Sequence, residues 1–382
     1  MKIELIATAS FGLEAVVRRE IEALGYKVLK TEDGRITYLG DERAIVRSNL
    51  WLRTADRVYV RMGEFNTKTF EELFQEVKAL PWEKYITVDG CFPVVGTSVK
   101  SELHSVPACQ SILKKAVVSR LGAVYNKQVL PESGAEYRIR FSVLKNKFTL
   151  MIDTSGAGLH KRGYRIKDVE APIKETLAAA IVQLSFYRPD KILVDTCCGS
   201  GTIPIEAAMI ARNIAPGLGR SFACSDWQII PGNIWKEEKK FAYEAGDFDK
   251  ELRIKAMDID TDAIKAAEAN ADEAGVLDDI EFLHMDMTSW KPEGEYGVII
   301  TNPPYGERIG DRKAIERIYK KLGKVLVEEP TWSMFMITTD RDIEKKFFGR
   351  KADRRRKLYN GRLETQLYQY HGVKPGRERE NE

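Results

Sequence analysis

From Ile173 to Thr338 short apolar runs of strand length alternate with segments of helical period, and this alternation constrains the fold more than any single motif. The reading is helix Ile173–Ser185, strand Ile192–Val194, helix Thr202 to about Arg212, strand Arg253–Met257 and helix Thr261–Glu273. Strands Ile280–Leu283 and Val298–Thr301, helix Ile315–Val327 and strand Ser333–Thr338 follow. Strands separated by helices predict an α/β fold with a parallel, doubly wound sheet. In such a sheet ligands lie outside the carboxyl ends of the strands. The pattern changes at the end, where Arg356–Tyr359 and Leu363–Tyr370 flank Asn360-Gly361 and predict an antiparallel hairpin on a type I′ turn.

The first part of the chain has another order. Residues 3–8 read as a strand, Phe11–Leu24 as a helix stopped by Gly25, and Tyr26–Leu29 and Arg35–Leu39 as strands around Glu32-Asp33-Gly34. Helix Asp41–Trp51 and strand Arg57–Phe65 complete a β-α-β-β-α-β split unit, the ferredoxin-like order. A second α+β region carries helix Phe70–Ala79, a strand near Phe92–Ser98, helix Gln110–Leu121 and the strand pair Glu136–Leu144 and Lys147–Asp153. The glycine-rich, basic stretch Gly156–Gly163 marks a boundary. Three domains are expected: 1–65, 66–155 and 156–382.

Composition narrows the class. With 60 Lys and Arg against 57 Asp and Glu, net charge is only +3, so any nucleic-acid surface has to come from local clustering. No apolar run reaches the ~18 residues of a membrane span, and Glu4 interrupts the short apolar start, against a signal peptide. Five cysteines without a C-x-x-C pair point to a reduced cytoplasmic protein without a metal site.

Two loops carry the chemistry. Asp195-Thr196-Cys197-Cys198-Gly199-Ser200-Gly201-Thr202 follows a strand and opens a helix. Gly199 and Gly201 let the backbone approach a ligand where free N–H groups favour a carboxylate. Pro204 stands where the dinucleotide fingerprint needs its third glycine, and no acid ends a strand ~20 residues later, against a nicotinamide cofactor. The next two strands end in Asp258-Ile259-Asp260 and His284-Met285-Asp286-Met287. Asp258 suits ribose hydroxyls or a helix N-cap. Asp286 lies at the depth of an adenine amine and Met287 offers an apolar face, while Asp195 suits the loop or a ligand's ammonium. The second loop is Thr301-Asn302-Pro303-Pro304-Tyr305-Gly306. Two prolines after an Asn make a stiff extended turn. The Asn302 amide oxygen, the Pro303 carbonyl and the Tyr305 ring are what holds a planar exocyclic amine.

These residues, with Leu159–Arg165, Ala171–Ala179, Asn302–Arg308 and Lys357–Gly361, resemble the THUMP-domain RNA guanine-N2 methyltransferases. The group concerned is related to the amino-terminal half of the bacterial 23S ribosomal RNA methyltransferase RlmL, and the resemblance covers essentially the whole chain. It implies a Rossmann-like class I methyltransferase domain at 156–382, preceded by a ferredoxin-like domain at 1–65 and a THUMP domain at 66–155. It implies S-adenosylmethionine as donor, guanosine N2 as acceptor, and Asn302, Pro303, Pro304 and Tyr305 as the catalytic tetrad. Cofactor contacts would come from Asp195, Cys197, Gly199, Gly201, Thr202, Asp258, Ile259, Asp286 and Met287. The segment Asn213–Leu252 resembles the family's insert before its second strand. Cys197-Cys198 departs from the Pro, Ala or Gly common in other methyltransferases.

RNA contacts are expected from basic clusters: Lys161, Arg162 and Arg165, and the run Arg354, Arg355, Arg356, Lys357. Lys100 is a further candidate, with His104, Lys114, Lys115 and Arg120 on weaker grounds. The favoured substrate is 23S rRNA. The rivals are tRNA and a non-catalytic role as an RNA-binding assembly factor.

Overall fold

A computed structural model of the protein describes residues 1–167, 172–304 and 312–374. In chain order the first elements are β1 (Ile3–Thr8), α1 (Glu14–Ala23), β2 (Lys27–Glu32), β3 (Arg35–Gly40), α2 (Glu42–Trp51), β4 (Arg57–Asn66) and α3 (Phe70–Ala79). They are followed by β5 (Val94–Val99), α4 (Val106–Tyr125), β6 (Ile139–Leu144) and β7 (Lys147–Asp153). Then come α5 (Glu175–Leu184), β8 (Ile192–Asp195), α6 (Thr202–Ala211), α7 (Gly232–Glu244), β9 (Arg253–Asp258), α8 (Thr261–Glu273) and β10 (Ile280–His284). The last are β11 (Val298–Thr301), α9 (Arg312–Glu328), β12 (Ser333–Thr338), β13 (Arg354–Asn360) and β14 (Leu363–Tyr370). None of the described helices is long and apolar enough to cross a membrane.

The chain divides into two compact units, each discontinuous in sequence. The first joins Met1–Ala9, Val17–Leu159 and Arg220–Ala242; the second joins Ser10–Val16, His160–Gly219 and Tyr243–Glu382. In the first unit one sheet, ordered β2-β3-β1-β4-β7-β6-β5, runs through both α+β regions, because β4 pairs antiparallel with β7. Helix α4 starts four residues before the expected Gln110, since Ser105 accepts from the Ala108 N–H and Pro107 lies in the first turn. Residues 220–242, expected as an insert of the last domain, contribute to the first unit's core. Phe222, Cys224, Trp227 and Ile230 are buried there, and Trp227 stacks on Tyr137 at 5.0 Å. Buried Glu238 pairs with Arg43 and Arg47 at 2.7 Å. No local sequence signal reveals that allegiance, because its partners lie about a hundred residues or more away.

The second unit holds the sheet β10-β9-β8-β11-β12-β14-β13. Its strands are parallel from β10 to β12, and β14 adds antiparallel to β12. Strands β8 and β11 are buried at every residue, as an apolar run in a doubly covered parallel sheet should be. The chain places β9 and β10 on one side of β8, then returns to place β11 on the other. The carboxyl ends of β8 and β11 therefore flank the switch point, where a crevice opens in folds of this kind.

The hairpin is present, but its turn differs from the expected one. Asn360 pairs with Leu363, so the two loop residues are Gly361 and Arg362. Gly361 has φ +65° and Arg362 is not among the positive-φ residues, which is the type II′ pattern. Asn360 is occupied elsewhere, accepting from the Lys174 N–H at 3.2 Å and donating to the Pro172 carbonyl at 3.4 Å.

Candidate functional site

The two loops meet through their hydroxyls. Thr196, just past β8, donates to Thr301 at the end of β11 at 3.0 Å, both residues being buried. Beside them Asp195 is 1% exposed; its Oδ1 accepts from the Cys197 N–H at 3.2 Å, and its Oδ2 is buried without a hydrogen-bond partner. Burial pushes the Asp195 carboxyl up to about 7 against the opposing Cys197 N–H and the nearby Thr301 hydroxyl, and the Asp258 charge adds to the rise. A buried acceptor left with capacity of this kind suits a donor from outside the chain.

The glycine loop is held from the next strand. The Cys198 N–H donates to the Met257 carbonyl, and the Gly199 N–H to Asp258 Oδ2, both at 2.9 Å. Asp258 Oδ1 accepts from the Asp260 N–H at 3.0 Å. The N-cap of α8 is Asp260, not Asp258. At Gly201 φ is +79°, and a Cβ there would sit 2.9 Å from the Ala267 Cβ, so α8 packs directly against the turn. Helix α6 then starts at Thr202 with no side-chain cap. A helix start without a side-chain cap suits an anion. Cys197 packs with the core of Met257 and Trp290, Cys198 with that of Ile203 and Ile254. The two thiols therefore enter different cores, and burial raises both out of the reactive range.

Beyond β9, Ile259 presents an apolar side chain that is 68% exposed, suited to one face of a planar ring. Met287, expected in that role, is only 3% exposed and packs with Trp290, so it is a core residue. Asp286 accepts from the Thr288 N–H and hydroxyl at 2.9 and 2.8 Å, which lowers its pKa. His284 was not anticipated: its Nε2 lies 3.1 Å from the Thr261 hydroxyl and 3.0 Å from the Ile259 carbonyl. Its position at the end of β10 was the available signal. Across the switch point Asn302 is half-buried, Pro303 buried and Pro304 exposed. Tyr305, Gly306 and Arg308 lie outside the described residues, as does Ala171.

The basic candidates separate by environment. The Arg162 side chain is 2% exposed and pairs with buried Glu206 at 3.2 Å, which also accepts from the Tyr164 hydroxyl at 3.1 Å. Arg162 is therefore an internal strut and cannot present its guanidinium to phosphate. Arg165 pairs with Glu175 at 3.3 Å and donates to Thr202 Oγ1 at 2.9 Å. Thr202 is itself buried, so both residues brace the loop. Arg355 pairs with Glu344 and Lys357 with Glu364, each at 2.6 Å, and Arg356 is partly buried. Lys114 and Arg120 pair with Glu132 and Glu83. Lys100, Lys161 and Arg354 are exposed and form no ion pair among the described residues. Charge clustering is visible in a sequence, but neutralisation across the fold is not.

Three family models match the chain: the RlmL ferredoxin-like domain over residues 4–59, the THUMP domain over 67–153, and the RMKL-like methyltransferase domain over 162–369. A Bacillus subtilis (strain 168) protein named "Putative RNA methyltransferase YpsC" is 48% identical over 381 residues, covering 99% of this chain and 98% of its own. A crystal structure from Listeria monocytogenes str. 4b F2365, named as a predicted N6-adenine-specific DNA methylase, is 48% identical with TM-score 0.93, covering 98% and 97% of the two chains. The structure of "SMU.472, a putative methyltransferase complexed with SAH" is 46% identical with TM-score 0.92, covering 98% and 99%.

Proposed function

Since the chain belongs to the RMKL-like methyltransferase family, we propose that it methylates RNA from S-adenosylmethionine, at the exocyclic N2 of a guanosine in 23S rRNA. The observation that carries this reading is the Thr196–Thr301 tie, which brings the glycine loop and Asn302-Pro303 to one switch point. The residues present fit the cofactor. The uncapped start of α6 suits its carboxylate, the orphan Oδ2 of Asp195 its ammonium, and exposed Ile259 its adenine. The relative bound to SAH supports the same assignment.

When bound, S-adenosylmethionine supplies an electrophilic sulfonium methyl. The chain's own part is to hold the acceptor. Guanine N2 is a weak nucleophile because its lone pair is delocalised into the ring. Asn302 Oδ1 and the Pro303 carbonyl each accept one of its N–H groups, which turns the lone pair outward, and Tyr305 supplies a stacking face. Orientation then accounts for most of the rate. The methylated nitrogen is acidic enough to release its proton to water afterwards, so no strong base is required.

The THUMP domain and the Bacillus relative's name support RNA. The Listeria relative's name favours a second reading, adenine N6 in DNA, because Asn-Pro-Pro-Tyr fits any planar amine. Guanine rests on the family resemblance. The test incubates the full chain and labelled S-adenosylmethionine with unmodified rRNA, tRNA or DNA, then identifies the labelled nucleoside by mass spectrometry. N2-methylguanosine in 23S rRNA is expected. N6-methyladenosine overturns the acceptor, label confined to tRNA overturns the substrate, and no transfer to any acceptor favours the assembly-factor role.

A further inference from the structure

Asn270 lies on α8, three residues beyond the Ala267 that packs on Gly201, and it is fully buried. Its amide makes a full complement of hydrogen bonds. Oδ1 accepts from the Ile166 and Lys167 N–H groups, both at 3.0 Å. Nδ2 donates to the Lys167 carbonyl at 2.9 Å and to the Ser200 carbonyl at 3.1 Å. One residue before this strap, the Arg165 guanidinium donates to the Thr202 hydroxyl at 2.9 Å and to the Ile173 carbonyl at 2.8 Å. Residues 165–167 are thereby tied to both ends of the Ser200–Thr202 turn, directly at Thr202 through Arg165 and at Ser200 only through Asn270.

Apolar burial does not hold the strap in place, since Ile166 is 59% exposed and Lys167 is exposed as well. The polar latch holds it. A buried amide with every donor and acceptor used specifies one backbone arrangement, because any shift leaves buried groups unpaired. What that arrangement fixes is the turn whose N–H groups open α6.

We propose that Asn270 is a positioning residue for the cofactor: by holding the Ser200 carbonyl and the 165–167 strap, it aims the α6 turn at the cofactor's amino-acid end. This rests on the cofactor reading above. The adenosine end falls to exposed Ile259 before α8, whereas Asn270 is bonded to Ser200, Ile166 and Lys167. The two ends can therefore be tested separately, with S-adenosylhomocysteine for the whole ligand and 5′-methylthioadenosine for the adenosine part alone.

The variants are Asn270→Ser and Arg165→Lys in the full chain, with Asn49→Ser as control. Asn49 is an equally buried amide in the first unit, bonded to the Ile45 carbonyl and the Thr154 hydroxyl at 2.9 Å. Calorimetry well below each Tm should show S-adenosylhomocysteine binding weakened about tenfold or more by Asn270→Ser. Methylthioadenosine binding should stay unchanged, and Asn49→Ser should alter neither. Amide exchange at Ile166 and Lys167 should quicken in Asn270→Ser. Should that variant not fold, Arg165→Lys, which withdraws the guanidinium bond to Thr202, is expected to show the same split between ligands. Unchanged affinity for both ligands, or equal loss for both, overturns the proposal by reducing Asn270 to a structural amide. Wild-type protein that binds neither ligand removes the cofactor reading and the latch together.

Discussion

A carboxyl raised to about 7 gives Asp195 a pH signature. In the unfolded chain it ionises near its ordinary value of 3.8, so between about 4 and 7 the folded state holds more protons than the unfolded one. Its contribution to stability is therefore complete below about 4 and is lost as pH rises through about 7. Ligand binding runs the other way, because an ammonium facing Oδ2 favours the ionised form. S-Adenosylhomocysteine affinity should rise between pH 6 and 8, and calorimetry on Asp195→Asn should show a flatter profile. A slope identical to wild type would remove Asp195 from the ligand's ammonium. Asp258 carries a double load, since its oxygens already accept from Gly199 and Asp260. Asp258→Ala should weaken the same ligand by roughly tenfold or more and lower Tm as well, from ~1.5–3 kcal/mol per charged hydrogen bond. An unchanged Kd in folded Asp258→Ala would confine it to the loop.

At the scale of elements, α6 shows how a surface motif becomes an internal one. Glu206 is wholly buried on it and faces Arg162 and Tyr164. Removing one partner strands a buried charge, so Arg162→Met should cost ~3–5 kcal/mol in urea unfolding, while Arg162→Met with Glu206→Leu should recover most of it. A single-variant loss below about 1 kcal/mol would mean the pair is effectively solvated. Most elements were legible because periodicity and caps are local: α3 and α8 have their expected bounds, and the parallel part of the second sheet follows from strand–helix alternation. The Asp195, Asp258 and Asn302 strand ends were legible for the same reason. The II′ turn and paired Arg162 were not, since each depends on which distant group claims a side chain, and buried Met287 was not, since it depends on how the core around it closes. The surviving exposed cations can be tested together. Charge removal at Lys100, Lys161 and Arg354 should weaken RNA binding and flatten its salt dependence by up to about one unit of slope per lost phosphate contact. An unaltered salt slope would put the RNA elsewhere.

At the scale of the molecule, the domain order in sequence suggests that a chain starting near Gly156 would still bind S-adenosylmethionine while methylating RNA poorly. The division into units argues against this. Leu13 and Val16 belong to the second unit and pack in the core that contains Leu358, Leu367 and Phe335. A Cβ on Gly12 would come within 2.8 Å of the Lys357 carbonyl, so this segment lies directly on the hairpin. Such a truncation loses the burial of Leu13 and Val16, ~1.5–3 kcal/mol each, and opens the core beneath them. It also retains Phe222, Trp227 and Ile230, which are buried in the first unit's core, with nothing of that core left to cover them. Against a net stability of ~5–15 kcal/mol these losses are decisive. The truncated chain should aggregate or unfold non-cooperatively and fail to bind S-adenosylhomocysteine, whereas the full chain melts cooperatively and binds it. Near-ultraviolet circular dichroism and calorimetry on the two chains decide the matter. A truncated chain with a cooperative melt and wild-type affinity would show that Ser10–Val16 is dispensable, and that the methyltransferase unit is closed by residues 156–382 alone.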